Sequence, residues 1–501
     1  MNFEENYISI SDNIDFNIKI IKTILKNNQS ISYRKFESKA ENSLKFCSVY
    51  IKNLCDSKKL IDNIIKPIML SEVSTNIVPS ARIDFIFSKV ILTEDNNVIK
   101  SINECIDKLT IGNTILFVEG CSNAIVVNTL NIKERAISEP DANKVSRGPK
   151  AGFTESIDTN VSLIQQIIHS PSLKIHYITL GKQTKTQICI AYMENIASHK
   201  IINELFNRLK QIDIDAILDS HYIESFIADE PLSIFPTTGF TDRPDIASAK
   251  LLEGRVLLIC DGSPEAITLP YLFVENFQSN EDYYKNYAIS SFYRVLRYFS
   301  FIITTLGPSI YLSMVTYHQE LIPTNLLFSI IAARNSIPFP TILELILMLL
   351  VFETLIEASR RLPANIGPTV SIVGGLILGQ AAISARLVSA PIIILTAISG
   401  TTSFLLPFTA GPIIFVRLFC LAFSTFLGFY GLVFAIMLIL AYMLSIKSFG
   451  VPYTLGLTTF SRYDIQDTML RLPWWYMKYR TKIVSARNFI RNNTKKGMPT
   501  R

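Results

Sequence analysis

The pattern of hydrophobic and polar positions divides the chain into a mixed N-terminal half and a strongly apolar C-terminal stretch. In the first half, short apolar runs change between helical spacing and strict alternation, which is typical of an α/β fold. Helical spacing predicts helices over 16–25, 58–69, 97–109 and 196–209, and alternation predicts a strand over 45–51.

One hairpin pattern occurs twice. Apolar runs over 114–118 and 124–130, with Glu119-Gly120 in the turn between them, predict a β-hairpin. The segment LTIGNTILFVEGCSNAIVV, from Leu109, aligns without a gap on LLEGRVLLICDGSPEAITL, from Leu251. Two explanations stay open: a duplicated α/β unit, or chance similarity between two apolar hairpins.

A polar segment separates the two hairpin regions. Residues 138–156, SEPDANKVSRGPKAGFTES, are rich in proline, glycine and charge, which predicts a surface linker. The linker is either a plain spacer or a partner-docking loop that exposes Arg147, Gly148, Pro149 and Phe153. We therefore expect a cytoplasmic soluble half made of two similar α/β subdomains, 1–137 and 157–293.

The apolar stretch predicts an α-helical polytopic membrane domain over 294–446. Residues 298–317, 366–384 and 388–406 are long and apolar enough to span a bilayer. Between the first two of these spans, prolines and charges interrupt 321–358, which predicts an interfacial or re-entrant segment.

The last apolar run, 413–446, carries Arg417 as its one charge and would extend about 51 Å as a helix. Since the hydrocarbon core is about 30 Å thick, either one tilted helix or a hairpin near Gly428–Gly431 is expected. The tail 447–501 is basic, which favours the cytoplasmic side. The polar, acidic N-terminus resembles no signal peptide, so both termini are expected inside and four or six spans are predicted.

Composition and motifs exclude several classes of functional site. The formal net charge is +6, and the seven cysteines are scattered without a CxxC pair, which predicts reduced, buried thiols. The five histidines do not cluster, and no P-loop, GxSxG, HExxH or dinucleotide fingerprint is present in the sequence. We expect neither an enzyme nor a cofactor or metal site.

Polar residues within the apolar stretch are the candidate functional residues, because ionisable groups are costly in a membrane. Glu353, Glu357 and Arg361 stand at i, i+4 and i+8, on one face of a helix. That face is either a solvated interfacial face or the lining of a vestibule or intersubunit seam. Glu344 and Gln380 are further pore or intersubunit candidates.

The small residues around Gln380 point to close helix packing. Gly375 and Gly379 form a GxxxG spacing, which lets helices approach closely. One explanation of the spacing is helix packing alone. The alternative is that this helix of small residues faces a pore through the Gln380 amide.

Several blocks together carry a family resemblance that extends from about Phe16 to Trp475. They are EPDANKVSRGPKAGFTES, SHYIESFIADEPLSIFPT, TDRPDIASAKLLEGRVLLICDGSP, RNSIPFPTILE, RRLPANIGPTVSIVGGLILGQAAISARLVS and SFGVPYTLG. With these blocks the chain resembles the A subunits of GerA-type spore germinant receptors.

The resemblance implies a location in the spore inner membrane. It implies assembly with a transporter-like, germinant-binding B subunit and a lipoprotein C subunit, and self-association into an oligomer that conducts ions when nutrient binds. A membrane-anchored scaffold without its own pore is the alternative. A secondary transporter ranks last, because no internal repeat is evident in the membrane half.

Overall fold

A computed structural model describes residues 8–40, 43–73, 78–92, 96–131, 147–361, 367–458, 465–481, 483–485 and 488–492. Residues 138–146 of the predicted linker lie outside this part of the chain. The chain forms two compact units. The first comprises Met1–Pro231, Thr238–Pro270 and Tyr479–Asn493, and the second Leu232–Thr237, Tyr271–Lys478 and Thr494–Arg501.

The first unit contains two antiparallel five-stranded sheets with the same strand order. The first sheet runs β1-β2-β4-β5-β3 and the second β6-β7-β9-β10-β8. The strands are β1 Ile31–Glu37, β2 Lys45–Ile51, β3 Asn96–Ile99, β4 Thr114–Val118, β5 Ala124–Val127, β6 Leu173–Leu180, β7 Thr186–Met193, β8 Gly239–Thr241, β9 Val256–Cys260 and β10 Ala266–Leu269.

Helices cover the faces of these sheets, and the hairpin strands β4, β5, β9 and β10 are buried at every position. That burial explains their continuous apolar sequences. The helices of this unit are α1 Ile14–Ile24, α2 Ser57–Leu60, α3 Lys66–Leu70, α4 Pro79–Phe85, α5 Ile102–Ile111, α6 Ile157–Ile167, α7 His199–Gln211, α8 Ser220–Ile227 and α9 Pro244–Leu252, with π-helical turns at Ile61–Ile65 and Ile86–Val90.

The two halves of this unit share one strand order. Strand pairing also places Ala124 opposite Phe117 and, in the second hairpin, Ala266 opposite Ile259. These are the pairs that the sequence alignment equates. Two hairpins in equivalent places of two sheets with one topology favour duplication over chance similarity.

Polar contacts repeat as well. In the first half, the Asn17 amide group bonds both the N–H and the carbonyl of Ser11. In the second half, Asn160 bonds the same two groups of Thr154. The Glu119 carboxylate of the first hairpin turn accepts from the N–H that opens α1, and Asp261 does the same for α6.

One predicted helix is partly wrong. The residues 97–109 begin as strand β3, which pairs with β5, and α5 starts only at Ile102. Ser101 ends the extended segment because its hydroxyl caps the helix by accepting from the Asn103 N–H.

The second unit is mainly helical. Its main segment is Tyr271–Lys478, which begins earlier than the predicted change at 294 because Phe273 and Phe277 pack against Phe301. Its elements are α10 Glu281–Tyr284, α11 Tyr287–Thr316, α12 Thr324–Arg334, α13 Thr341–Arg361, α14 Gly367–Ser384, α15 Ala390–Ser403, α16 Ala410–Ser445, and the short strands β11 Lys447–Ser448 and β12 Val451–Pro452.

The element α16 is a helical hairpin. Gly428 has non-helical backbone angles, φ 55° and ψ −134°. The rings of Phe423 and Phe434 lie 5.9 Å apart, whereas eleven residues of straight helix would separate them by about 16 Å. The chain therefore reverses at Gly428, as the hairpin alternative predicted.

Among the described helices, two are long and apolar enough to cross a membrane: Tyr287–Thr316 and the merged segment Pro407–Ser445. Thr324–Arg334 and Ala390–Ser403 are apolar but shorter. The number of crossings, four or six, stays a prediction.

Candidate functional site in the helical unit

A buried arginine on α16 meets a partly exposed glutamate on α13. The Arg417 guanidinium is 2% exposed, and its Nη2 lies 2.5 Å from Glu353 Oε1. A charge this deeply buried in apolar surroundings requires a partner, and Glu353 supplies it. The pair therefore ties the first arm of the α16 hairpin to α13.

The same arginine reaches a second buried contact. Its Nη1 lies 3.5 Å from the Ser399 hydroxyl on α15. That hydroxyl donates to the carbonyl of Thr304 on α11 at 3.2 Å. Pro308 has no N–H to satisfy this carbonyl within the helix, so Ser399 does so from a neighbouring helix. Four helices thus converge on one polar group.

Glu344 forms a second buried polar group. It is 1% exposed, and its Oε2 accepts from the Ser389 N–H at 2.9 Å, just before α15 begins. The other oxygen, Oε1, lies 3.7 Å from Arg334 Nε. A carboxylate beside a helix N-terminus is favourable because it complements the unpaired N–H groups there. Glu344 therefore caps α15 and links it to α12.

The remaining polar candidates are exposed. The Glu357 carboxylate bonds Arg361 at 2.7 Å, and both side chains lie more than half exposed. Gln380 on α14 is also exposed. The predicted single face of Glu353, Glu357 and Arg361 is therefore divided, since Glu353 turns toward Arg417 and the other two pair with each other.

The two glycines of the GxxxG spacing differ. A Cβ on Gly379 would contact Ile393 of α15 at 3.5 Å, whereas a Cβ on Gly375 would meet no atom of the described chain within 4 Å. Gly374 is the second small position in contact, since a Cβ there would lie 3.2 Å from Leu355. Within one chain, packing thus uses Gly374 and Gly379.

A third charged cluster was missed by sequence reasoning. Arg294 on α11 is 0% exposed, with Nε 3.2 Å from Asp282 Oδ2 and Nη1 2.6 Å from Asp467 Oδ1. Arg297 also bonds Asp282, at 2.5 Å. The sequence showed two arginines before an apolar run. The spacing of Asp282, Arg294 and Arg297 could have indicated an ion pair near the start of the helix. Asp467 could not have been added to it, because it lies far along the chain.

The predicted docking loop belongs to the first unit. Arg147, Gly148 and Pro149 are exposed, as expected. The expected exposure of Phe153 is wrong: it is 4% exposed, and its N–H donates to the Asp242 carbonyl at 2.7 Å. Its ring belongs to the core of the second half because an apolar side chain gains free energy by leaving water.

Buried Arg243 holds this loop in place. The guanidinium is 0% exposed, bonds the Asp245 carboxylate twice, and donates from Nη2 to the Pro149 carbonyl at 2.5 Å.

The cysteine side chains lie in the interior of the protein. All seven cysteines are free and buried, so their predicted burial is confirmed. Burial raises the pKa of Cys47 to about 11 and that of Cys260 to about 12, so these thiols stay protonated and poorly nucleophilic. Among the described residues, no group of three His, Cys, Asp or Glu side chains is placed to hold a metal ion.

The comparisons with known proteins agree with one another. The family model described as the Bacillus/Clostridium GerA spore germination protein matches residues 19–483. The chain is 36% identical to spore germination protein KA of Bacillus subtilis, over 97% of this chain and 90% of that protein. It is 33% identical to spore germination protein B1 of the same organism, over 94% of this chain and 97% of that protein.

A solved structure is also similar. It is the N-terminal domain of the A subunit of the Bacillus megaterium spore germinant receptor GerK3, at 29% identity and a TM-score of 0.44. The match covers 54% of this chain and 99% of that one. With the family model spanning both compact units and relatives aligned along nearly their whole length, the chain belongs to the GerA family of spore germination proteins.

Proposed function

We propose that this chain is the A subunit of a nutrient-germinant receptor in the spore inner membrane, where copies of it assemble around a nutrient-gated ion conduit. The transporter-like B subunit binds the germinant, and the lipoprotein C subunit completes the complex. Membership of the GerA family supports the role in germination. The soluble half and the basic tail face the spore core.

The observation that carries the conduit is the exposed amide of Gln380. Its exposed neighbours on α14, Ile377 and Leu378, are apolar, and a Cβ added to Gly375 beside them would meet no atom of the described chain within 4 Å. In a bilayer, an amide on an apolar helix faces another helix or water rather than lipid. A second copy that covers this part of α14, or a water-filled path along it, satisfies the amide.

The ion pairs divide the candidate residues into two groups. Glu344 and Glu353 are held by contacts within the chain, so in this conformation they position helices. Glu357, Arg361 and Gln380 are exposed and are our candidates for the conduit or the seam between copies. Gating then requires a second conformation, in which germinant binding on a neighbouring subunit changes these contacts.

The test reconstitutes the full chain in liposomes, alone and with its B and C subunits, and records cation efflux with and without nutrient. We expect nutrient-dependent efflux only from the complete complex. Gln380→Leu should change the efflux rate while the complex assembles normally. The matched control is Thr401→Val, because the Thr401 hydroxyl is already satisfied by the Ala397 carbonyl within its own helix. Efflux that is equal in all three complexes would reject Gln380 as a conduit residue.

A scaffold function is the second candidate, favoured by the exposed Arg147-Gly148-Pro149 loop that Arg243 holds. In that case the chain recruits its partners through the loop and conducts nothing. Assembled complexes that bind nutrient but never release cations would support the scaffold over the conduit.

A further inference from the structure

The chain has two tryptophans, and both lie in one short exposed segment near its C-terminal end. Trp474 is 43%, Trp475 46% and Tyr476 54% exposed. Met469 and Leu470, which precede them, are also about half exposed. Large aromatic side chains are normally buried in a soluble protein, so this cluster indicates a surface that contacts something other than water.

The segment is fixed to the first turns of α11. The Arg471 N–H donates to the Ser291 hydroxyl at 3.2 Å, and that hydroxyl donates back to the Arg471 carbonyl at 3.0 Å. The Arg471 guanidinium donates to the Lys285 carbonyl at 3.0 Å. The guanidinium also lies over the Trp474 ring at 5.5 Å. The tryptophans are therefore held in a defined position.

The beginning of α11 has the opposite of ordinary amphipathicity. One stripe of the helix is polar and faces the protein: Ser290 and Arg294 are buried, and the Arg297 side chain is 13% exposed. The other stripe is apolar and exposed, and it comprises Ile289, Phe292, Leu296 and Phe299. A helix in water buries its apolar face and exposes its charges. The inverted arrangement is what a lipid environment favours.

The length of α11 places these residues at the edge of a bilayer. Its 30 residues extend about 45 Å, which matches a hydrocarbon core plus its headgroup layers. If the C-terminal part of the helix spans the core, the first turns lie at headgroup depth. Tyr287 at the helix start contacts Trp475 edge-on, at 6.3 Å between centroids, so the exposed segment lies at the same level.

We propose that the segment Met469–Tyr476, together with the first turns of α11, is an interfacial anchor that binds the headgroup region of the bilayer. Tryptophan and tyrosine prefer this region because their rings are apolar and their N–H and O–H groups reach water. Exposed Lys478, two residues beyond Tyr476, attracts anionic headgroups. The anchor fixes the first membrane helix and the C-terminal segment to one leaflet.

This inference rests on the membrane location proposed above, and it goes further in assigning a lipid-binding surface to a part of the chain that the sequence predicted as a plain basic tail. The occupant is lipid rather than another protein because the aromatic segment continues the exposed apolar stripe of a candidate membrane span.

The two tryptophans make the test direct, since all tryptophan fluorescence of the chain comes from this segment. The full chain is reconstituted in vesicles of phosphatidylcholine and phosphatidylglycerol that carry bromine near the headgroup, at mid-chain, or at the end of the acyl chain. We expect headgroup-proximal bromine to quench the emission about twofold more than bromine at the chain end, as interfacial rings require. The single-tryptophan variants Trp474→Phe and Trp475→Phe should show the same order.

Three results would contradict the anchor. Emission that no brominated lipid quenches but that aqueous acrylamide quenches would place the segment in water. Emission shielded from both quenchers would show that protein covers it. Strongest quenching at the chain end would place the rings in the core.

A basic-residue control tests the headgroup contact. Lys478→Gln should reduce the spectral shift caused by adding phosphatidylglycerol, while the same change at exposed Lys200 should not. An unchanged spectral shift in the Lys478 variant would show that Lys478 does not attract the anionic headgroups. If the chain does not float with vesicles of any composition in a density gradient, the proposed membrane location itself is wrong. Failure of the anchor alone would leave flotation intact, so the two failures can be distinguished.

Discussion

The Arg417 guanidinium on α16 lies 2.5 Å from the Glu353 carboxylate on α13, and the arginine is almost completely buried. Sixty-four positions separate the two residues in sequence. An ion pair between helices in apolar surroundings fixes their relative position, because separating the charges exposes each of them to a medium that solvates it poorly.

Breaking this pair from one side should destabilise the helical unit more than removing both charges. Glu353→Gln leaves a buried, uncompensated guanidinium, at an expected cost of about 3–5 kcal/mol in the free energy of unfolding. The double variant Glu353→Met with Arg417→Met should lose much less, because no charge is then left unpaired. Thermal unfolding of the reconstituted chain measures both.

Glu357→Gln is the matched control, since the exposed Glu357–Arg361 pair should contribute less than about 1 kcal/mol. If Glu353→Gln were no worse than Glu357→Gln, the pair would have no structural role.

Asp467→Asn should release the C-terminal segment from α11. The change keeps the size of the side chain but removes the charge that pairs with Arg294 Nη1 at 2.6 Å. Charge-assisted hydrogen bonds contribute about 1.5–3 kcal/mol, so amide exchange of residues 465–471 should accelerate about tenfold or more. Hydrogen–deuterium exchange with mass spectrometry measures this.

The control is Glu281→Gln, which removes the i,i+4 partner of Lys285 near the same helix. Equal exchange in the wild-type chain and the Asp467 variant would show that the bonds from the Arg294 guanidinium to the carbonyls of Asp467 and Thr468 hold the segment without the carboxylate.

Asn17→Ala and Asn160→Ala should have similar effects, because the two amides make equivalent contacts in the two halves of the first unit. Each change leaves one N–H and one carbonyl of the preceding loop without its partner, at an expected cost of about 1–3 kcal/mol. Urea unfolding of the full chain gives the two values. A large loss at one position with none at the other would argue against equivalent roles.

Stability should fall as the pH falls from about 7 to about 5, partly through His176. Burial lowers the pKa of His176 below its ordinary value of 6.5, the positive charge of Lys174 lowers it further, and Glu194 opposes this. The unfolded chain therefore binds a proton at a higher pH than the folded chain does. Acidification then favours the unfolded state.

Unfolding midpoints over this pH range test the histidine. His176→Gln should flatten the profile, because the glutamine side chain does not titrate in this range. A profile that His176→Gln leaves unaltered would assign the pH dependence to other groups.

Local features were predictable because they depend on neighbouring residues. The hairpin strand 114–118 was predicted with its observed bounds, since burial on both faces requires a continuous apolar run and a glycine turn follows it. The chain reversal in the last apolar run was one of two open alternatives, and only the backbone of Gly428 decided it. The helix α11 begins at Tyr287, eleven residues before the predicted span 298–317, and its first turns, which bury Arg294 and expose apolar side chains, carried no helix prediction.

By itself, the sequence determined the order of a mixed α/β half and an apolar helical half, the repeated hairpin, and the family resemblance that the comparisons confirmed. These features follow from the periodicity of hydrophobic positions, from composition and from motifs, all of which are properties of short segments. Only the tertiary structure decided which charges meet. Arg417 with Glu353, and Arg294 with Asp467, are pairs between distant segments, and the free energy that selects them is the cost of burying a charge alone.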